Sequence, residues 1–217
     1  MTTEVLDPTT AAVETVADCL ADGGVVVAPS DTNMALTVDP GHAAAIERVY
    51  EIKDRPAHKP LTLFVRDPDD WRRFGTHPDP AVVDTLVEAF WPGPLNLVLE
   101  QADTGQHDRL SMDGTVSVGC LSNPVWRDLA AAVDGPLAMT SANQSGTVDD
   151  DTLVTVDRAV EHVGDAADYV LAGEPQGTTR ASAILSLAAG DRGDATPLRR
   201  GDIDAEAIES AAPLRVD

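Results

Sequence analysis

The sequence predicts a single α/β domain built on a twisted, mixed β-sheet flanked by helices. Its 217 residues suffice for one ordinary domain with a sizeable core. Short apolar runs bounded by Gly, Pro and small polar residues recur along the chain, as buried strands do. Helical faces are interspersed with them without strict strand–helix alternation, which argues for a mixed rather than an all-parallel sheet.

The elements follow in order. Asp7-Pro8-Thr9-Thr10 is a helix start with Thr9 or Thr10 as the cap. Val13, Val16, Ala17 and Leu20 then share one helical face, and Gly23-Gly24 ends the helix. Val25 to Ala28 is a short buried strand, Pro29 to Asn33 a polar irregular segment, and Met34 to Val38 a second strand. His42 to Ile52 reads as a helix with Ile46, Val49 and Tyr50 inward. Leu61 to Val65 is a strand, Pro80 to Phe90 a helix, and Trp91-Pro92-Gly93-Pro94 a rigid turn. Strands at Leu95 to Leu99 and Thr115 to Cys120 precede a helix from Pro124 to Val133. Leu137 to Thr140 is a strand, and the polar stretch Thr147 to Val156 is expected to be a mobile loop. Later strands are expected at Tyr169 to Leu171, Ala183 to Leu187 and Pro197 to Arg199, with a short helix and a frayed end from Asp204.

Composition narrows the function classes. Formal net charge is −22, from 37 acidic and 15 basic residues, yet 43% of residues are hydrophobic, so the chain is not a disordered acidic tail. A fold this acidic repels itself in dilute salt, whereas at molar salt the Debye length falls to about 3 Å. The expectation is a cytoplasmic protein of a high-salt cell. Broad nucleic-acid binding needs a basic face and is not expected. Cys19 and Cys120 form neither a disulfide framework nor a zinc pattern, and the five histidines show no ligand spacing. The N-terminus has no secretory signal, and no apolar run approaches membrane-spanning length. No phosphate loop of the Gly-x-x-x-x-Gly-Lys type and no Gly-x-Gly-x-x-Gly fingerprint is present.

Against this acidic background one window stands apart. The only two lysines, Lys53 and Lys59, lie in one short loop with Arg55 and His58, stiffened by Pro56 and Pro60. Arg forks across two phosphate oxygens while Lys supplies a compact mobile charge, so the cluster fits a nucleotide's phosphates. One or two such cations could instead cap the preceding helix. Three polar clusters sit beside strands: Pro29-Ser30-Asp31-Thr32, Thr140 to Gly146, and Gly177 to Ser182. Each could bind a ligand at a strand end, and each could be an ordinary turn.

The order of these segments resembles the YrdC-like family. The motifs that carry the resemblance are Pro29-Ser30-Asp31-Thr32, Lys53-Asp54-Arg55-Pro56 to Lys59-Pro60-Leu61, and Trp91 to Pro94. They continue with Thr140-Ser141-Ala142-Asn143-Gln144-Ser145-Gly146, Ser182-Ala183-Ile184 and Leu198-Arg199-Arg200-Gly201. The resemblance implies a YrdC-like domain over residues 10–203 followed by a tail, 204–217, with the length of the family's short form. It implies L-threonylcarbamoyladenylate synthesis: threonine, bicarbonate and ATP are joined with release of pyrophosphate, for tRNA modification. An anion attacking an anion needs charge neutralisation and alignment more than a general acid.

By the same resemblance Lys53 and Arg55 are catalytic. ATP is held by these two with Lys59, Thr115, Ser141, Asn143 and Arg199, and the amino acid by Ser30, Thr32 and Ser182. No protein metal site is expected, and Mg²⁺ accompanies the phosphates. Partners are the small substrates and a tRNA-modifying complex that receives the product. The family's Tyr, His and carboxylate-gripping Arg are here Met34, Phe64 and Gly119. Those departures keep two alternatives open: a paralogue that binds nucleotide or RNA without making the product, and a carbamoyl-adenylate enzyme with another small acceptor.

Overall fold

A computed structural model describes residues 3–102, 105, 107–147, 152–188 and 194–216. The helices are α1 (Thr10–Ala21), α2 (Ala43–Lys53), α3 (Pro80–Phe90), α4 (Pro124–Val133), α5 (Val156–Val163) and α6 (Ala205–Ala211). The strands that build the sheet begin with β1 (Glu4–Leu6), β2 (Val26–Pro29), β3 (Met34–Val38), β4 (Thr62–Phe64) and β5 (Gly75–Thr76). They continue with β6 (Leu95–Gln101), β7 (Ser111–Met112), β8 (Thr115–Gly119) and β9 (Leu137–Ser141). The last are β10 (Tyr169–Leu171), β11 (Ala183–Ser186), β12 (Asp194–Arg199) and β13 (Arg215–Val216).

They form one mixed sheet in the order β1-β10-β2-β3-β9-β4-β8-β6-β11-β12-β13, with β5 added to β6 and β7 to β8. Pairs β2–β3, β3–β9, β4–β9 and β6–β8 are antiparallel, while β4–β8 and β6–β11 are parallel. The expected α/β class is the one observed.

The two faces of the sheet are divided by strand alternation. Val25 and Val27 join the larger core with α2 and α3, whereas Val26 and Ala28 join a smaller one with α1 and α4. Val16 and Leu20 of α1 and Trp126 and Leu129 of α4 are completely buried there, each contributing roughly 1.5–3 kcal/mol. Thr9 caps α1 by accepting from the Ala12 N–H, as the Thr-rich start predicts. Asn123 caps α4, its Oδ1 accepting from the Val125 and Trp126 N–H groups. On this face α1 and α4 leave part of the sheet uncovered, and there the cavity described below opens.

Some elements differ from the sequence reading. α5 begins at Val156, where the expected loop ends; residues 148–151 of that stretch lie outside the described residues. β1 is three residues long and gains its place by pairing with β10, a contact no local pattern announces. At the other end Ile208 and Leu214 join the larger core, and β13 pairs with β12.

Candidate active site

A cavity of about 530 Å³ lies on the open part of the sheet. Its floor is the exposed face of β4, β8 and β6, flanked by Met139 of β9 and Ile184 of β11. One wall is the loop between α2 and β4, with Arg55, His58 and Lys59. Ser30, Thr32 and Asn33 from the β2–β3 loop, with Ser182, form a second wall. Arg199 and Leu198 of β12 and Met112 of β7 make the rim.

The structure therefore brings together most of the residues singled out by sequence. Ser30, Thr32, Arg55, Lys59, Thr115, Ser141, Ser182 and Arg199 all line this cavity. The Thr32 and Ser182 hydroxyls lie 3.3 Å apart, joining segments distant in sequence. Arg199 Nε donates to the Ser182 carbonyl at 2.8 Å, fixing β12 against that wall. Thr115 Oγ1 donates to the Met112 carbonyl at 2.7 Å, which anchors the rim.

The basic loop owes its shape to local rules. α2 ends at Asp54, which takes the left-handed conformation at φ 48°. The chain then turns through the prolines. Arg55 Nε and Nη2 donate to the Lys59 and Pro60 carbonyls, both at 2.8 Å, and the Tyr50 hydroxyl donates to the Lys59 carbonyl at 2.6 Å. Burial pushes the Arg55 guanidinium below its ordinary pKa, yet an Arg remains charged at any physiological pH. The Lys59 side chain is exposed at the cavity mouth, so its charge is available to a ligand.

Two residues of the sequence reading are placed elsewhere. Lys53 and Asn143 do not line the cavity. Lys53 is 1% exposed, and its ammonium donates to the Ser141 and Asn143 carbonyls. Its own carbonyl accepts from Ser145 N–H at 3.1 Å, and Gln144 Nε2 donates to the Ile52 carbonyl at 2.9 Å. Lys53 is thus the clamp that ties the end of α2 to the turn after β9 and holds Ser141 at the cavity edge. The helix geometry explains it: a side chain on the last buried turn points back under the sheet, not out with the loop. Burial, then the nearby Arg55 charge, lowers the Lys53 pKa to about 7. Asn143 is buried, with Nδ2 donating to the Gln144 carbonyl at 2.8 Å.

The sequence reading gave Asp31 no role of its own, although it named the Pro29-to-Thr32 turn, and it missed other residues altogether. Asp31 is fully buried, and its carboxylate accepts from Ser122 N–H and Oγ and from Asn123 N–H at 2.7–3.1 Å. Its carbonyl accepts from Gln176 N–H and Thr178 Oγ1, both at 2.8 Å. Asn123 Nδ2 completes the knot by donating to the Ser30 and Glu174 carbonyls, each at 3.0 Å. Burial raises the Asp31 pKa, although the Ser122 and Asn123 donors oppose the shift. The single acid in a hydroxyl-rich turn was the available signal. Thr62, Asn96 and Ser117 were missed because polar residues on a strand give no sign of which face is solvent.

Chemically, the cavity combines mobile or forked cations on one side with hydroxyls and strand-end backbone on the other. Among the described residues, no Asp or Glu lines it and no cluster of three His, Cys, Asp or Glu could hold a metal ion. No helix of the described residues is long and apolar enough to cross a membrane.

Comparison with known proteins agrees with this fold. The family profile of the Sua5, YciO and YrdC proteins, described as telomere recombination, matches residues 18–201. The threonylcarbamoyl-AMP synthase of Bacillus subtilis (strain 168) is 31% identical over 206 residues, covering 91% of this chain. The chain spans only 56% of that relative's length. P. abyssi Sua5 in complex with L-threonine superposes with a TM-score of 0.86 at 22% identity, covering 99% of this chain and 63% of Sua5. E. coli YciO superposes with a TM-score of 0.80 at 19% identity, covering 96% of this chain and 100% of YciO. With the family profile spanning most of the chain and the same fold recurring in Sua5 and YciO, the chain belongs to the Sua5/YciO/YrdC family.

Proposed function

We propose that the chain is a nucleotidyltransferase of the threonylcarbamoyl-AMP synthase type. The observation that carries the reading is one cavity in which Arg55, Lys59 and Arg199 face the hydroxyls of Thr115 and Ser141, with Ser30, Thr32 and Ser182 on the adjoining wall. A volume of about 530 Å³ is in the range of nucleotide and cofactor sites. In the reaction, the amine condenses with bicarbonate, forming an N–C bond and releasing water, to give a carbamate; a carbamate oxygen then attacks the α-phosphorus of ATP, the bond from that phosphorus to the α,β-bridging oxygen breaks, and pyrophosphate leaves. Arg55, Lys59 and Arg199 offset the charge that builds on the phosphates. Ser141 and Thr115 orient the nucleotide. Lys53 and Asn143 act from beneath, setting the position of Ser141 rather than touching substrate.

Mg²⁺ enters this scheme on the triphosphate of ATP: the cavity offers it no carboxylate among the described residues. The product then passes to a tRNA-modifying complex, as the family resemblance implies; the B. subtilis relative is named for the synthesis of threonylcarbamoyl-AMP itself. The protein works in the cytoplasm of a high-salt cell, a reading supported by the net charge of −22. Gly119 stands where the family resemblance places a carboxylate-gripping Arg, which favours a second reading, in which the same chemistry acts on an acceptor other than threonine.

The test is to incubate the protein with ATP, bicarbonate and threonine at molar KCl, following pyrophosphate release and product mass. Threonine-dependent release with formation of the carbamoyl adenylate is expected. Lys59→Ala lowers ATP affinity about tenfold, since its side chain takes no part in shaping the loop. Unchanged ATP affinity in both Lys59→Ala and Arg55→Ala refutes the cavity as the phosphate site.

A further inference from the structure

Carbamate formation leaves a proton to be disposed of. At neutral pH the amine of a free amino acid is carried as its ammonium. Its nitrogen bonds to the bicarbonate carbon and loses two protons, while one C–O bond of bicarbonate breaks. The departing hydroxide takes one proton and leaves as water, so the other has to go to a base. A positioned side chain that accepts such a proton contributes about 10²–10⁴-fold in rate.

Few side chains of the cavity can be that base. Among the described residues no Asp or Glu lines it. Arg55, Lys59 and Arg199, the charged groups of the lining, are donors with no lone pair to offer. The other polar groups are Ser and Thr hydroxyls and the amides of Asn33 and Asn96, which do not titrate near neutrality. His58 is left, on the α2–β4 loop beside Lys59. Imidazole is the side chain whose ordinary titration falls near neutral pH, so it can take up a proton and give it away again.

The titratable groups behind the lining are committed elsewhere. The Asp31 carboxylate is buried and accepts from Ser122 and Asn123. The Lys53 ammonium is enclosed on the Ser141 and Asn143 carbonyls, and the Tyr50 hydroxyl donates to the Lys59 carbonyl. His58 is exposed, and its ring makes no hydrogen bond or ion pair among the described residues. It takes no part in shaping the loop, which Arg55 holds through the Lys59 and Pro60 carbonyls. The ring is thus open to the amine directly or through one water, and its exposure lets the proton leave to solvent before the next turnover.

We propose that His58 is the general base of carbamate formation: its imidazole takes the second amine proton as the N–C bond forms and passes it to solvent. The later attack of the carbamate on ATP removes no proton, so His58 serves the first step alone. The inference rests on the cavity being the nucleotide-and-amine site proposed above.

The experiment compares the wild type with His58→Gln and His58→Ala at molar KCl. The forward rate is read as pyrophosphate released in a single turnover from ATP, bicarbonate and threonine. The second step is read in reverse, as ATP formed in a single turnover from purified threonylcarbamoyl-AMP and pyrophosphate. In His58→Gln the forward rate is expected to fall about 100-fold, with ATP affinity within about twofold and reverse ATP formation within about threefold of the wild type. Added imidazole should raise the forward rate of His58→Ala about tenfold, in proportion to its concentration, and leave the wild type unchanged. A forward rate of His58→Gln within about threefold of the wild type, equal losses in both directions, or no rescue by imidazole overturns the proposal. Normal turnover of the wild type beside such a result leaves the nucleotide-and-amine reading standing. A wild type that neither releases pyrophosphate nor forms ATP overturns both.

Discussion

Replacing Lys53 by Met separates a clamp from a phosphate ligand. Met keeps the length and apolar stem of Lys and deletes the ammonium. Two terms then oppose each other. The Ser141 and Asn143 carbonyls lose their donor, at about 1–3 kcal/mol for each group left unsatisfied. Against this, the fold no longer buries a cation. The fall of the Lys53 pKa from 10.5 to about 7 puts that relief at roughly 5 kcal/mol, at about 1.4 kcal/mol per tenfold change in proton affinity. The terms cancel to within a few kcal/mol, so the variant folds.

Its dependence on pH is where it differs. Between about pH 7 and the unfolded value of 10.5, unfolded wild-type chains hold the Lys53 proton and folded ones do not. Stability of the wild type therefore rises with pH across that window; below about pH 7 both states are charged, the slope vanishes and the cost of the buried cation is present in full. Urea unfolding at pH 6.5, 8 and 9.5 should show this rise in the wild type and a smaller rise in Lys53→Met. ATP affinity should fall about tenfold or more, because the turn holding Ser141 loses its tie to α2. Equal pH slopes in the two proteins would refute the assignment of a depressed pKa to Lys53. Unchanged ATP affinity would refute its role as the clamp of the Ser141 turn.

Two further outcomes follow from other parts of the structure. Asp31→Ala removes the acceptor of the Ser122 and Asn123 donors, so stability falls by about 1–3 kcal/mol for each buried donor left unpaired, read as a shift in the urea midpoint. With the β2–β3 loop released, KM for the amine should rise more than KM for ATP. Thermal melting in KCl from 0.1 to 3 M should show the melting temperature rising, as screening removes self-repulsion of the −22 net charge; a flat or falling curve speaks against the high-salt reading.

How far the chain could be read without coordinates depended on how local each determinant is. α3 and α4 run over the residues expected, Pro80–Phe90 and Pro124–Val133, because each begins at Pro and carries a clear apolar face. β3 and β10 likewise match, each being a short apolar run bounded by polar turns. β1 and β13 were illegible because their strand character comes only from partners far away in sequence. Among site residues, the loop bearing Arg55 and Lys59 was legible as a cationic island in an acidic chain. The direction of Lys53 was not, because one residue separates a side chain that leaves with the loop from one that points beneath the sheet. Asn96 was not legible either, since which face of β6 lacks a covering helix is decided by where α1 and α4 pack.

On the proposed reading, so acidic a fold has to hold an anionic ligand, and the same contrast bears on how it could. Long-range attraction would not assist, because the chain's own net charge of −22 repels an anion. Affinity must come from contact, and the structure commits much of its polar bonding to placing a few contact groups. Asp31 and Asn123 lock three loops together around Ser30 and Thr32. Tyr50 and Arg55 set the loop that presents Lys59, and Lys53 sets the turn that presents Ser141. The cations of the lining are confined to the α2–β4 loop and β12, which is where the proposed phosphate contacts lie.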